Sequence, residues 1–187
     1  RLEEKFPGTI SCWDVVNEAI GDHADEWDGS DARHIRTIRG GVDNLFKTHV
    51  GDDYVEYAFL CAKDTVEKLG SDIKLFYNDY NEYWDHKRDC IYNMCKGLYQ
   101  KGLLDGVGMQ SHVPANATGF AGTDSYITAM KKYLSIGCDV QVTELDISLE
   151  NGKYSLQDQA NKYKAIFNAA SEWNSNPQST GRVTAVC

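Results

Sequence analysis

The chain has 187 residues, 42% of them hydrophobic, and a formal charge of −9 at pH 7. That is enough apolar material for one substantial core, so it reads as one domain or part of one. The acidic balance, with no Lys/Arg-rich run, argues against a nucleic-acid or anionic-membrane partner, and no apolar stretch is long enough to cross a bilayer. Residue 1 is Arg and no charged-then-apolar leader follows, so the gene product is expected to start upstream. The six cysteines (Cys12, Cys61, Cys90, Cys95, Cys138 and Cys187) show no C-x-x-C pair and no Cys/His cluster at zinc spacing. They are expected to be buried free thiols, with Cys90 and Cys95 the one pair an oxidising compartment could bridge.

In chain order, the first element is a strand within residues 10–21, where Trp13, Asp14, Val15 and Val16 give way to the polar pair Asn17 and Glu18. Residues 22–31, with Trp27 among acidic and small residues, read as a long loop. Residues 34–40 are basic and end in glycine, which suggests a solvated connection. Asp53 and Glu56 resemble a capping box for a helix running to Leu69, with Tyr54, Ala58, Cys61, Ala62 and Val66 near one face and Gly70 as its stop. A second strand, residues 73–76, opens into Tyr77, Asn78, Asp79, Tyr80, Asn81, Glu82, Tyr83 and Trp84. Amides interleaved with aromatics suit sugar recognition, and suit equally a polar loop with aromatic anchors.

A helix over residues 85–101 carries Ile91, Met94, Cys95 and Leu98 at core spacing, closed by Gly102. Residues 104–113 read as a strand whose glycines permit close packing and whose end presents Gln110, Ser111 and His112. The next helix, 124–135, buries Ile127, Met130 and Leu134 and stops at Gly137. Residues 140–147 form a strand bearing Glu144, with Asp146 on the same face if the chain stays extended. Ser155 with Asp158 caps a last helix, whose buried side is Ala160, Tyr163, Ile166, Phe167, Ala170 and Trp173. A turn-rich linker, 174–181, precedes a strand from residue 182 to 186.

Five strands alternate with four helices, and chemistry gathers at strand C-terminal ends, as on the active face of a (β/α) barrel. An open doubly wound sheet competes, but no Gly-rich phosphate turn follows the first strand. Two strand-end glutamates in a cleft of amides and aromatics point to glycoside hydrolysis, one carboxyl donating a proton and the other attacking or activating water. The competing reading is that each glutamate pairs with an arginine or caps a helix.

Four motifs, W-D-V-V-N-E-A (13–19), L-F-Y-N-D-Y-N (75–81), G-V-G-M-Q-S-H (106–112) and V-T-E-L-D-I (142–147), resemble glycoside hydrolase family 10, the endo-β-1,4-xylanases. The resemblance implies an α/β fold, a (β/α)8 TIM barrel, and retention of configuration. It makes Glu18 the acid/base at the end of the fourth family strand and Glu144 the nucleophile at the end of the seventh. Asn17 matches the residue that hydrogen-bonds the sugar 2-hydroxyl. Gln110 and His112 match groups around the nucleophile, with Asp146 orienting His112. Tyr80 and Asn81 match the leaving-group side, Tyr80 stacking on a xylose ring, while Asn78 and Trp84 have no assigned role.

By that alignment, residues 1–187 are part of the catalytic domain, an internal fragment from about the fourth to the eighth strand. The expected partner is xylan or a xylo-oligosaccharide, with no metal, no cofactor and a secreted, extracellular location inferred from the family. Unpaired sheet edges imply association with complementing barrel segments or with itself. The alternatives are a related barrel glycosidase acting on glucan or mannan, a catalytically incompetent fragment and a polysaccharide-binding protein.

Overall fold

The computed structural model describes residues 1–119 and 121–187. Its elements in chain order are α1 (Leu2–Lys5), β1 (Cys12–Asn17), β2 (Ile38–Arg39), β3 (Val42–Asp43), α2 (Leu45–Val50), α3 (Tyr54–Leu69), β4 (Lys74–Asp79), α4 (Asp85–Gln100), β5 (Gly106–Met109), β6 (His112–Pro114), α5 (Thr123–Leu134), β7 (Asp139–Val142), β8 (Asp146–Ser148), α6 (Leu156–Ser175) and β9 (Val183–Val186). Strands β1, β4, β5, β7 and β9 form one parallel sheet in that order, and α3, α4, α5 and α6 make the crossovers between them. Because the strands are parallel and consecutive, the loops after them open on one side. This is the expected arc of five strands and four helices of a (β/α)8 barrel.

The core lies between the sheet and the helices. Tyr77, Val107, Met109 and Val140 are fully buried, against Ile91 and Cys95 of α4 and Tyr126, Met130 and Leu134 of α5. Helix α3 ends as anticipated, with Gly70 at φ +61° donating its N–H back to Val66 and Glu67. Ser155 and Asp158 form a reciprocal cap on α6. Gly106 and Gly108 stand directly opposite Phe76 and Asn78, whose side chains lie where a Cβ would be.

Several expectations are corrected. Asp53 precedes α3 but makes no side-chain cap; its carboxylate instead accepts from Arg33, and Glu56 takes Lys101. Residues 34–40 are not a solvated connection, because Ile35 is fully buried and Arg36 is 4% exposed. The Arg36 guanidinium donates to the Ile20 carbonyl, Glu26 and the Tyr80 hydroxyl, which its charge alone did not disclose. The second strand runs three residues further, through Tyr77, Asn78 and Asp79. On α6, Ala160 and Phe167 face solvent, while Lys162 is buried with its ammonium donating to the carbonyls of Pro114 and Ala121. All six cysteines are free thiols, Cys61 and Cys187 being exposed and Cys90 and Cys95 unbridged.

Two further runs read as single strands are each broken in two. Ser111, at φ +68°, lies with Gln110 between β5 and β6, and the chain between Val142 and Asp146 separates β7 from β8. Strands β6 and β8 then pair with each other in parallel. At the outer side of β1, no further strand pairs with it among the described residues. There a cleft of about 740 Å³ is lined by Val15, Glu18, Arg39, Phe46, Tyr57 and Cys61 among others. No helix among the described residues is long and apolar enough to cross a membrane.

Candidate active site

The register of β1 on β4 skips Val15, pairing Asp14 with Phe76 and Val16 with Tyr77. Such an irregularity next to a strand end re-aims the side chains that follow. Glu18 comes next, at φ +56°, with its N–H on the Asn78 carbonyl at 2.9 Å. A glutamate at positive φ is uncommon and persists only where its surroundings over-determine it. The re-pairing of β6 and β8 does the equivalent downstream, setting His112 opposite Asp146.

These backbone devices bring six of the expected residues into one network. Gln110, 3% exposed, donates its amide to Glu18 Oε1 at 3.0 Å and Asn17 Oδ1 at 3.2 Å. Asn78 donates from one Nδ2 to Asn17 Oδ1 at 3.0 Å and Glu144 Oε1 at 3.3 Å, while its own carbonyl accepts from Thr143 at 2.8 Å. His112 Nε2 lies 3.4 Å from Glu144 Oε2, and its Nδ1 lies 2.6 Å from Asp146 Oδ2. A continuous chain of amides therefore links the Glu18 and Glu144 carboxyls. Asn78, left without a role by the sequence, is the bridge; its place in a strand-end run rich in amides was the available signal.

Tyr80 and Asn81 lie beside the network. The Tyr80 ring has Lys87 Nζ 3.8 Å and the Arg39 guanidinium 5.1 Å from its centroid. Asn81 donates to Asp22 at 3.1 Å, tying together the loops after β1 and β4. Below them Lys87, 1% exposed, bridges Asp22 at 2.6 Å and Asp79 at 2.9 Å, and the Tyr77 hydroxyl also donates to Asp79.

The electrostatics separate the two glutamates. Partial burial alone would raise the Glu18 pKa, but hydrogen bonds from Gln110 and Arg39, with the Arg39 charge, hold it below the ordinary glutamate value. Arg39 comes from the β2–β3 hairpin and is half exposed; no motif in the sequence joins it to Glu18. His112 is shifted the other way. Burial opposes its charge, yet the Asp146 hydrogen bond and the charges of Asp146 and Glu144 raise its pKa overall. The imidazolium is thus favoured between two carboxylates.

A largely covered carboxyl (Glu18) and a half-exposed one (Glu144), joined through amides at the open end of parallel strands, form an arrangement suited to sugar hydroxyls and to acid–base or nucleophilic work. The chain is 48% identical to endo-1,4-beta-xylanase Y of Acetivibrio thermocellus over 188 residues, which cover all of this chain and 17% of that protein. It is 32% identical to an endo-1,4-beta-xylanase of Geobacillus stearothermophilus, covering 91% of this chain and 49% of the relative. Among solved structures, the N-terminal endo-1,4-beta-D-xylanase 10B of Clostridium thermocellum, complexed with xylohexaose, superimposes with a TM-score of 0.87 at 47% identity over 100% of this chain and 36% of that one. The native xylanase 10B of Thermotoga maritima gives 0.69 at 28% identity over 97% and 49%. The chain therefore spans half or less of the length of these relatives. The family model of glycosyl hydrolase family 10 matches residues 1–186, and the chain belongs to that family.

Proposed function

We propose that residues 1–187 are part of the catalytic domain of an endo-β-1,4-xylanase that cleaves internal bonds of xylan with retention of configuration. The observation that carries this reading is the amide chain from Glu18 through Gln110, Asn17 and Asn78 to Glu144 in a member of this family. The relatives named above are xylanases, and one was crystallised with xylohexaose. Glu144 attacks the anomeric carbon while Glu18 gives its proton to the departing oxygen. In the second half-reaction Glu18 takes a proton from water, which hydrolyses the glycosyl-enzyme bond. Asn17 meets the sugar 2-hydroxyl, and His112, oriented by Asp146, holds Glu144 in place. Tyr80 and Asn81 flank the leaving group.

The acid role requires Glu18 to carry a proton near neutral pH, whereas Arg39 and Gln110 favour its anion. A sugar seated over Glu18 displaces the exposed Arg39, which removes the Arg39 hydrogen bond and charge that favour the anion and shifts the Glu18 pKa upward. The same ion pair favours a second reading, in which the 187-residue chain alone is idle until complementing barrel segments or a second copy cover the outer side of β1. A polymeric substrate places the working enzyme outside the cell, as a secreted protein.

The test is reducing-sugar release from xylan, with cellulose as control, by the chain alone and with the segments flanking it in its full-length protein. Glu144→Ala and Glu18→Gln are expected to abolish turnover in whichever form is active. Near-wild-type turnover by Glu144→Ala would overturn the assignment. Cleavage of cellulose in preference to xylan would move the substrate to glucan.

A further inference from the structure

Apart from the glutamate network, the fold assembles a second cluster that no spacing in the sequence announced. Cysteine–histidine spacing along the chain suggested no such group, yet one histidine comes from the loop after β1 and the other two side chains from α4. His86 and Cys90 are four residues apart on α4 and so share one face of the helix. His34 reaches them from the loop, and the three ligand atoms all lie within 4.8 Å of one another. His34 Nδ1 is 2.8 Å from His86 Nε2 and 3.6 Å from Cys90 Sγ.

His34 is held in that position from several sides. The Trp27 ring stacks on it at 4.2 Å with 4° between the planes, and also meets the His86 ring at 5.5 Å. Its carbonyl accepts from Gly21 at 3.0 Å, its N–H donates to Asp31 at 2.9 Å, and its φ is +57°. Cys90 is 9% exposed, whereas His86 faces solvent. A well-held imidazole and a buried thiol thus face a solvent-exposed third ligand.

We propose that His34, His86 and Cys90 form a binding site for a thiophilic divalent ion of the zinc class, with water as the fourth ligand. In a tetrahedral zinc site with bonds of about 2.0–2.1 Å to nitrogen and about 2.3 Å to sulfur, the ligand atoms are separated by about 3.4 Å (N to N) and about 3.6 Å (N to S). The His34–Cys90 separation already matches. Opening the 2.8 Å His34–His86 contact by about 0.6 Å, a movement within reach of an exposed side chain, brings that edge to its tetrahedral value, and the His86–Cys90 edge lies within 4.8 Å. Two imidazoles and one thiolate select zinc-class ions and exclude magnesium and calcium, which take oxygen ligands. On binding, the thiol proton passes to solvent, and the proton lying between the two imidazoles moves to the far nitrogen of its own ring, so that both histidines ligate as neutral imidazoles. The site clips the loop after β1, which carries Asp22 and Arg36, to the first turns of α4. Its role is structural and independent of the glycosidase reading.

The test is titration of the reduced, chelator-treated 187-residue chain with Zn²⁺ and with Co²⁺, Mg²⁺ serving as control. Wild type is expected to bind one equivalent of Zn²⁺, and Co²⁺ to give the intense visible bands of a four-coordinate site with a thiolate-to-metal band in the near ultraviolet. His86→Ala, at an exposed position that leaves the fold intact, should weaken Zn²⁺ at least tenfold and remove the rise in Tm that Zn²⁺ produces in wild type. Cys90→Ser should abolish the thiolate band. Binding of Zn²⁺ by His86→Ala with wild-type affinity, absence of the thiolate band in wild type, or equal binding of Mg²⁺ would each overturn the site.

Discussion

Gly108→Ala tests whether the two glutamates depend on one buried amide. An ideal Cβ on Gly108 falls 2.4 Å from Asn78 Oδ1, 3.1 Å from its Cγ and 3.2 Å from its Cβ. The first distance is about 1 Å inside an ordinary contact of about 3.5 Å. Asn78 is 3% exposed and cannot swing aside freely, because its amide bonds Asn17, Glu144 and Thr143 at once. Overpacking costs about 1–3 kcal/mol, and the loss of one such hydrogen bond adds about 1 kcal/mol. The variant should therefore be destabilised by roughly 2–4 kcal/mol, lowering Tm by about 4–16 °C for a domain of this size. Urea unfolding followed by circular dichroism measures this, with Gly97→Ala on α4 as the control. At Gly97 a Cβ meets nothing within 4 Å, and replacing a helical glycine should stabilise by up to about 1 kcal/mol. If Gly108→Ala is as stable as wild type, the close approach of β5 to Asn78 is not a constraint and the argument fails.

Lys87→Met leaves Asp79 buried without its cation, since Lys87 Nζ is 2.9 Å from a carboxylate that is 0% exposed. The loss should be about 3–5 kcal/mol by urea unfolding, and a loss below about 1 kcal/mol would refute the pairing. Glu82 is fully buried with its pKa raised from 4.5 to about 7 by burial, and one of its oxygens has no hydrogen-bond partner among the described residues. The folded state therefore holds its proton more tightly than the unfolded state. Its contribution is present below pH 4.5 and is lost as pH rises through about 7, amounting to roughly 3 kcal/mol. Glu82→Gln should flatten the stability profile across that window; an unchanged slope would contradict it. Arg39→Met removes a donor and a charge from Glu18 and should raise the Glu18 pKa. Carboxyl-carbon NMR titration measures it, and a pKa that stays put or falls would show that Arg39 does not set the Glu18 proton.

The alternating strands and helices, the stops at Gly70 and Gly102 and the cap at Ser155 were legible in the sequence because each depends on residues close along the chain. So was the place of Glu18 and Glu144 just past the ends of β-favouring runs. Tertiary structure alone decided what surrounds them. The split of residues 104–113 at Ser111 needed the re-pairing of β6 with β8, which local propensity cannot foresee. Arg36 fell in a run read as solvated and Lys162 was not among the residues expected on the buried side of the last helix, and both are buried because distant carbonyls and a carboxylate accept hydrogen bonds from them. Asn78 as bridge, Arg39 on Glu18 and the His34–His86–Cys90 group all join residues from separate elements. Periodicity along a chain records which face a side chain occupies, and only the packed fold determines what it meets there.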